Sequence, residues 1–122
     1  MSRVLIHTFN RELLRRLQDT ICHAALPAEC KFSDLAMEAV AIAHDRGSRY
    51  DVLVVDVTSP HCWFLCEEVK QTGWQTEIIF LAYHDNLEAR QQAATFNCAG
   101  FLKLPDELAE IPGLLRALVE KS

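Results

Sequence analysis

The sequence predicts an α/β fold, a doubly wound five-stranded parallel sheet assembled from five strand–helix repeats, (βα)5, with residues 1–122 as a single domain. Three observations carry that expectation. Short, β-branched runs centred in residues 4–6, 51–56 and 77–82 are apolar without polar alternation, as strands are when helices cover both faces of a parallel sheet. The segments between them repeat apolar residues at spacings of three and four, the period of an amphipathic helix. A chain of 122 residues, half of them hydrophobic, suits one compact core, and two full domains would not fit.

The elements follow in order. Val4-Leu5-Ile6 is the first strand and ends at His7. Asn10 is an N-cap candidate, since its side chain can accept from the free amides of a first helical turn, and Leu14, Leu17 and Ile21 supply that helix with its inner face. A weak second strand is expected at residues 29–33. After Ser33 and Asp34, the residues Ala36, Ala39, Val40 and Ala43 predict a second helix closing near Gly47. Residues 51–56 are the third strand, and the third helix follows Pro60 and runs toward Gly73. Residues 77–82 are the fourth strand; a helix with Ala89, Ala93 and Phe96 inward follows Asp85-Asn86. Residues 99–102 form a weaker fifth strand and residues 106–111 a loop or short turn. Pro112 is favoured at a first helical position, and the last helix turns Leu115, Leu118 and Val119 inward. Right-handed crossovers leave chiefly a doubly wound sheet for such a chain, with its site at the carboxyl ends of the strands.

Composition narrows the function. The formal net charge is -5, and the basic residues are scattered apart from Arg11, Arg15 and Arg16, so direct nucleic-acid binding is not expected. The longest apolar runs fall far short of the roughly 20 residues a spanning helix needs, and the start, Met1-Ser2-Arg3 before Val4-Leu5-Ile6, is too short and polar for a secretory signal. A cytoplasmic domain without membrane contact is therefore expected. Five dispersed cysteines, Cys22, Cys30, Cys62, Cys66 and Cys98, suit reduced thiols. His61, Cys62 and Cys66 share a helix face, but no second pair at zinc spacing exists to complete a metal site. Exposed Cys22, Cys62 or Cys98 would sense redox only with a lowered pKa.

The strand ends hold the candidate chemistry: His7, Thr8 and Phe9; Asp56; Ala82, Tyr83 and His84; and Leu102, Lys103, Leu104 and Pro105. A carboxylate ending a buried strand is costly to desolvate without partners. Asp56 therefore reads either as a functional group or as a cap for the loop at residues 57–59 or the helix after Pro60. His7 and His84 could titrate near neutral pH at that rim. Trp63, Phe64 and Trp74 would mark a contact surface if exposed.

These residues resemble the receiver domain of response regulators, the fold family that includes the bacterial chemotaxis regulator, over essentially the whole chain. Tyr50-Asp51-Val-Leu-Val-Val-Asp56 is similar to the family's third strand with its phosphoacceptor aspartate, and Pro60 stands where the loop proline does. Ile78-Ile-Phe-Leu-Ala-Tyr-His-Asp85 is similar to the fourth strand and its loop, and Ala99-Gly-Phe-Leu-Lys-Leu-Pro105 to the fifth strand with its lysine–proline ending. The resemblance implies a flavodoxin-like sheet of order 2-1-3-4-5, with Asp56 at the phosphoacceptor position. The departures are as informative. Thr8 and Phe9 align with the family's magnesium-binding acidic pair, Ala82 with its switch hydroxyl, and Leu104 with its lysine, Lys103 being displaced by one residue. A one-residue shift in a strand sends a side chain to the opposite face unless a bulge intervenes. Phe101 aligns with the family's rotating aromatic switch and, with His84, marks the expected signalling face.

The resemblance thus implies an atypical receiver domain, a pseudo-receiver that signals by protein–protein interaction with impaired or absent phosphorylation of Asp56. Expected partners are a sensor kinase or effector protein, and a second copy through the fourth helix, fifth strand and fifth helix, at residues 86–97 and 101–121. No catalytic residue, metal or other cofactor is expected. The alternative is a conventional phospho-accepting regulator with slow chemistry at Asp56, which alone would call for Mg²⁺. A flavin- or nucleotide-binding enzyme lacks support, because His7-Thr8-Phe9-Asn10-Arg11 stands where a glycine-rich phosphate loop would be.

Overall fold

The computed structural model of the chain describes residues 2–45, 49–84 and 86–120. Gly47, Asp85 and Lys121, each named in the expectations above, lie outside them. The elements alternate as β1 (Ser2–His7), α1 (Arg11–His23), β2 (Ala28–Ser33), α2 (Ala36–Ala43), β3 (Val52–Asp56), α3 (Cys62–Gln71), β4 (Glu77–Ala82), α4 (Leu87–Ala93), β5 (Cys98–Lys103) and α5 (Ile111–Glu120). The strands form one parallel sheet of order β2-β1-β3-β4-β5. This is the doubly wound, flavodoxin-like arrangement expected.

The lack of polar alternation in the central strands follows from two separate cores. Val4, Ile6, Val52, Val54, Ile79 and Leu81 pack with Leu13, Leu17 and Ile21 of α1 and Ile111, Leu115 and Val119 of α5. On the other face Leu5, Leu53, Val55, Ile78 and Phe80 meet Ala39 and Val40 of α2, Leu65, Cys66 and Val69 of α3, and Ala93 of α4. Consecutive strand residues point to opposite faces, so both must be apolar when both faces are covered.

Several local details differ from expectation. In α1 the buried stripe is Leu13, Leu17 and Ile21, and Leu14 only flanks it; a strict spacing of four from residue 13 aims the stripe at the sheet, and Leu14 is one residue, about 100°, further round. In α2 the cap position is Leu35, without a side-chain bond, because Ser33 Oγ is engaged by both the amide and carbonyl of Leu35 and Asp34 pairs with Arg11. The third helix begins at Cys62 and not directly after Pro60, with His61 left-handed at φ 63° before it. Phe96 packs against its core from beyond the end of α4. A single 3₁₀ turn at Leu108–Glu110 fills the connection, and α5 starts at Ile111, one residue before Pro112. Pro112 still lies in the first turn, where a missing amide forfeits no helical bond. Leu118 is only partly buried beside Leu115 and Val119.

Two of the described glycines sit where a side chain would be felt. Gly73 closes α3 at φ +80°, the left-handed conformation that ends many helices. Gly100 lies in β5 where a Cβ would come within 2.9 Å of Leu114 Cδ2 of α5, so a larger residue there would require that side-chain tip to shift. Just before it, the register slips: Cys98 pairs with Ile78 and Gly100 with Ile79, leaving Ala99 as an extra residue.

Candidate functional site

Because the strands are all parallel, the loops after β1, β3, β4 and β5 gather at one end of the sheet, and Asp56 lies in the middle of that end, 2% exposed. Both oxygens of its carboxylate accept bonds from neighbouring residues. Thr8 Oγ1 donates to Asp56 Oδ2 at 2.8 Å. On the other oxygen, Oδ1 accepts from the Thr58 amide at 3.0 Å and the Thr58 hydroxyl at 2.8 Å. The last two bonds are an Asx-type turn, in which a carboxylate binds the backbone two residues on. They correspond to the loop-cap reading of Asp56. The same loops are tied a second time, since the Phe9 amide donates to Ser59 Oγ at 2.8 Å and the Asn10 amide to Thr8 Oγ1 at 3.1 Å.

Thr8 is wholly buried, while Phe9 is 58% exposed and turns its ring out of the Asp56 pocket. Ala82 is buried beside the site and its carbonyl accepts from the Leu104 amide at 2.7 Å. Leu104 is 1% exposed and belongs to the α1/α5 core, and the Leu104–Pro105 peptide is cis. Lys103 is exposed. It pairs with Ala82 in register, two residues from Phe101, which packs on the α3/α4 side. Asp56 stands two residues from Val54, on the α1/α5 side. The bulge at Ala99 lies too early in the strand to rephase Lys103, so alternation sends lysine and aspartate to opposite faces.

A magnesium ion would need several hard oxygen ligands in near-octahedral array. Among the described residues Asp56 is the one carboxylate at this centre, its oxygens already accept three bonds from the chain, and the adjacent aligned position carries a phenyl ring. This donor set does not fit the ion. Elsewhere among the described residues, no group of three or more His, Cys, Asp or Glu side chains is placed to hold a metal. His61, Cys62 and Cys66 do not converge: His61 is exposed, Cys62 Sγ donates to the Val57 carbonyl at 3.2 Å, and Cys66 is in the core. Burial pushes the Cys62 thiol up to about 11 and the Cys66 thiol higher, which keeps both as thiols. Cys22 and Cys98 are exposed, and Cys30 is partly buried with its thiol raised by desolvation and by nearby Cys22.

The two rim histidines are not a pair. His84 is exposed in the loop after β4. His7 is 1% exposed, and its Nδ1 lies 3.0 Å from the Ser33 carbonyl. Burial lowers its pKa, opposed by the Ser33 bond and by the charges of Asp56 and Asp34. A carbonyl only accepts, so Nδ1 carries the proton and Nε2 a lone pair. Nε2 has no partner and is the only buried side-chain nitrogen or oxygen among the described residues left in that state.

Phe101 is partly buried. It stacks on Phe80 with centroids 6.3 Å apart, and the Arg90 guanidinium lies over its ring at 4.6 Å from the centroid. Trp63 packs inward on Phe80 and Phe96, leaving Phe64 exposed, and Trp74 lines a hollow of about 430 Å³ with Lys70 and Phe96. The cap reading of Asp56 covered the loop that holds Thr58, whereas sequence reasoning missed Ser59 as a partner of Phe9. The Asp-x-Thr spacing of an Asx turn was the signal for Thr58, whereas the Ser59–Phe9 bond joins loops 50 residues apart and leaves no local trace.

Neither a family model nor a curated protein matches the chain. Solved structures do. A response regulator receiver domain protein from Clostridium thermocellum aligns over 99% of this chain and 96% of its own, at 15% identity and TM-score 0.83. A chemotaxis protein of Vibrio cholerae aligns over 99% and 98%, at 22% identity and TM-score 0.76. A response regulator from Thermotoga maritima, solved with Mg²⁺ and BeF, aligns over 97% and 99%, at 14% identity and TM-score 0.77. Identities this low establish a shared fold, and that fold is the receiver fold.

Proposed function

We propose that this chain is a receiver-like signalling module that works by binding other proteins, its acyl-phosphate chemistry impaired or absent. The observation that carries this reading is the closed state of Asp56, whose oxygens are occupied by Thr8 and Thr58. Phosphoryl transfer depends on positioning and on neutralising charge. Here the positions that would supply metal ligands hold Thr8 and Phe9, the hydroxyl position holds Ala82, and the lysine position holds Leu104. The relative from Thermotoga maritima was solved with Mg²⁺ and BeF; this chain departs from what such a site requires. In this reading it needs no cofactor and performs no catalysis of its own. A sensor kinase or effector protein is the partner, and α4, β5 and α5, with Phe101 and exposed His84, form the face that meets it or a second copy.

Incubation with acetyl phosphate and Mg²⁺, followed by intact-mass measurement, tests the reading. Unmodified protein is the expected result. A phosphoryl adduct that disappears in Asp56→Ala would overturn it and establish a conventional, slow phospho-acceptor.

A further inference from the structure

At the end of the sheet opposite Asp56, the segments that lead into β4 and β5 enclose a hollow of about 430 Å³. Its volume lies within the range of about 300–1,000 Å³ usual for small-molecule sites. Two partly buried aromatic side chains, Trp74 and Phe96, line it together with buried Ile78. Walls of this kind favour a flat apolar body.

The polar part of the lining selects the charge of that body. Among the described residues that line the hollow, Lys70 alone is charged. Its Nζ stands 5.6 Å from the centroid of the Phe96 ring, which holds the ammonium beside an aromatic wall. No carboxylate among the described residues lies within ion-pair distance of it. The two hydroxyls of the lining donate elsewhere, Thr76 to the Tyr50 carbonyl and Thr95 to the Gln92 carbonyl, each at 2.7 Å. The side-chain amides of exposed Gln75 and Asn97 have no hydrogen-bond partner among the described residues. The donors left to a ligand are thus one ammonium and two amide groups, a set that suits an acceptor carrying negative charge. A single lysine matches a single charge shared by two oxygens; a phosphate dianion would stay undercompensated on a chain whose net charge is already -5.

We propose that this hollow binds a small planar aromatic carboxylate, its ring packed against Trp74 and Phe96 and its carboxylate accepting from Lys70, Gln75 and Asn97. The aromatic walls hold the ring, and the one uncompensated cation of the lining sets the preference for an acid over a neutral compound of the same shape. The site lies away from Asp56 and stands whether or not that aspartate accepts phosphate.

Titration of isotopically labelled protein with indole-3-carboxylate and with its neutral isostere indole-3-carboxamide, followed by NMR, tests the proposal. The chain has two tryptophans, so the Trp74 indole N–H is one of two such resonances, and the spectrum of Trp74→Phe assigns it. The carboxylate is expected to give saturable shifts at the Trp74 indole and at the side-chain amides of Gln75 and Asn97. The carboxamide is expected to bind about fivefold more weakly, the worth of one ion pair at a surface, and the difference should shrink in about 1 M salt. Lys70→Gln, at an exposed position, should remove the preference for the carboxylate while leaving the urea midpoint of unfolding unchanged. Equal affinity for the two probes in the unaltered protein, a preference that survives Lys70→Gln, shifts centred on another surface, or no saturable shift would each overturn the proposal.

Discussion

At Thr8 a hydroxyl stands where the resemblance would place a carboxylate, and its single donated bond holds Asp56 Oδ2 in a wholly buried setting. Replacing it with valine keeps the shape and removes the donor, which strands a buried carboxylate oxygen. The cost expected for such a loss is about 1–3 kcal/mol, measurable as a lower midpoint in urea unfolding of Thr8→Val at unchanged slope. Thr58→Val should cost less, because the Thr58 amide still donates to Oδ1. That Asp56 caps its own loop was one of two readings open from the residues alone. The contribution of Thr8 was not legible there, because it depends on β1 and β3 lying side by side, 48 residues apart in sequence.

Among the elements, those governed by local chemistry were the most legible. Asn10 accepts from the amides of Glu12 and Leu13, and Asn86 from that of Ala89, as N-caps do. Asn10→Ala is expected to lower global stability by about 1 kcal/mol, read by thermal or chemical denaturation, with the helix retained because Leu13, Leu17 and Ile21 still hold it to the sheet. What periodicity could not resolve was phase. Leu13 and Leu14 both fit a spacing of three or four to Leu17, and packing against β1 chose the former. The second strand was weak in sequence for a physical reason. It is an edge strand with half-exposed alternation, so it lacks the continuous apolar run that identifies β3 and β4.

At the scale of the whole molecule, the fold couples stability to pH through His7. Its folded pKa lies below the ordinary value of 6.5, because burial disfavours the charged ring more than Asp56, Asp34 and the Ser33 carbonyl favour it. The unfolded chain therefore binds the proton more readily, and the stability contributed by neutral His7 is complete above about pH 6.5 and lost as pH falls toward the lowered value. Unfolding midpoints measured from pH 7.5 to 5.5 (approximate bounds set by that linkage) should decline, and His7→Phe should flatten this part of the profile. A slope unchanged by the substitution would place the effect elsewhere. The global topology was legible because the central strands announce two covered faces; the hollow beside Trp74 was not, since segments on either side of β4 build it.

The slip at Ala99 bears on how copies of this chain keep apart. Cross-molecule strand addition requires an unbroken, evenly phased row of amides and carbonyls along a free border. On the β5 border that rhythm is interrupted after Cys98, and on the β2 border Glu29 and Lys31 project charge into water. Both margins thus resist edge-to-edge strand addition.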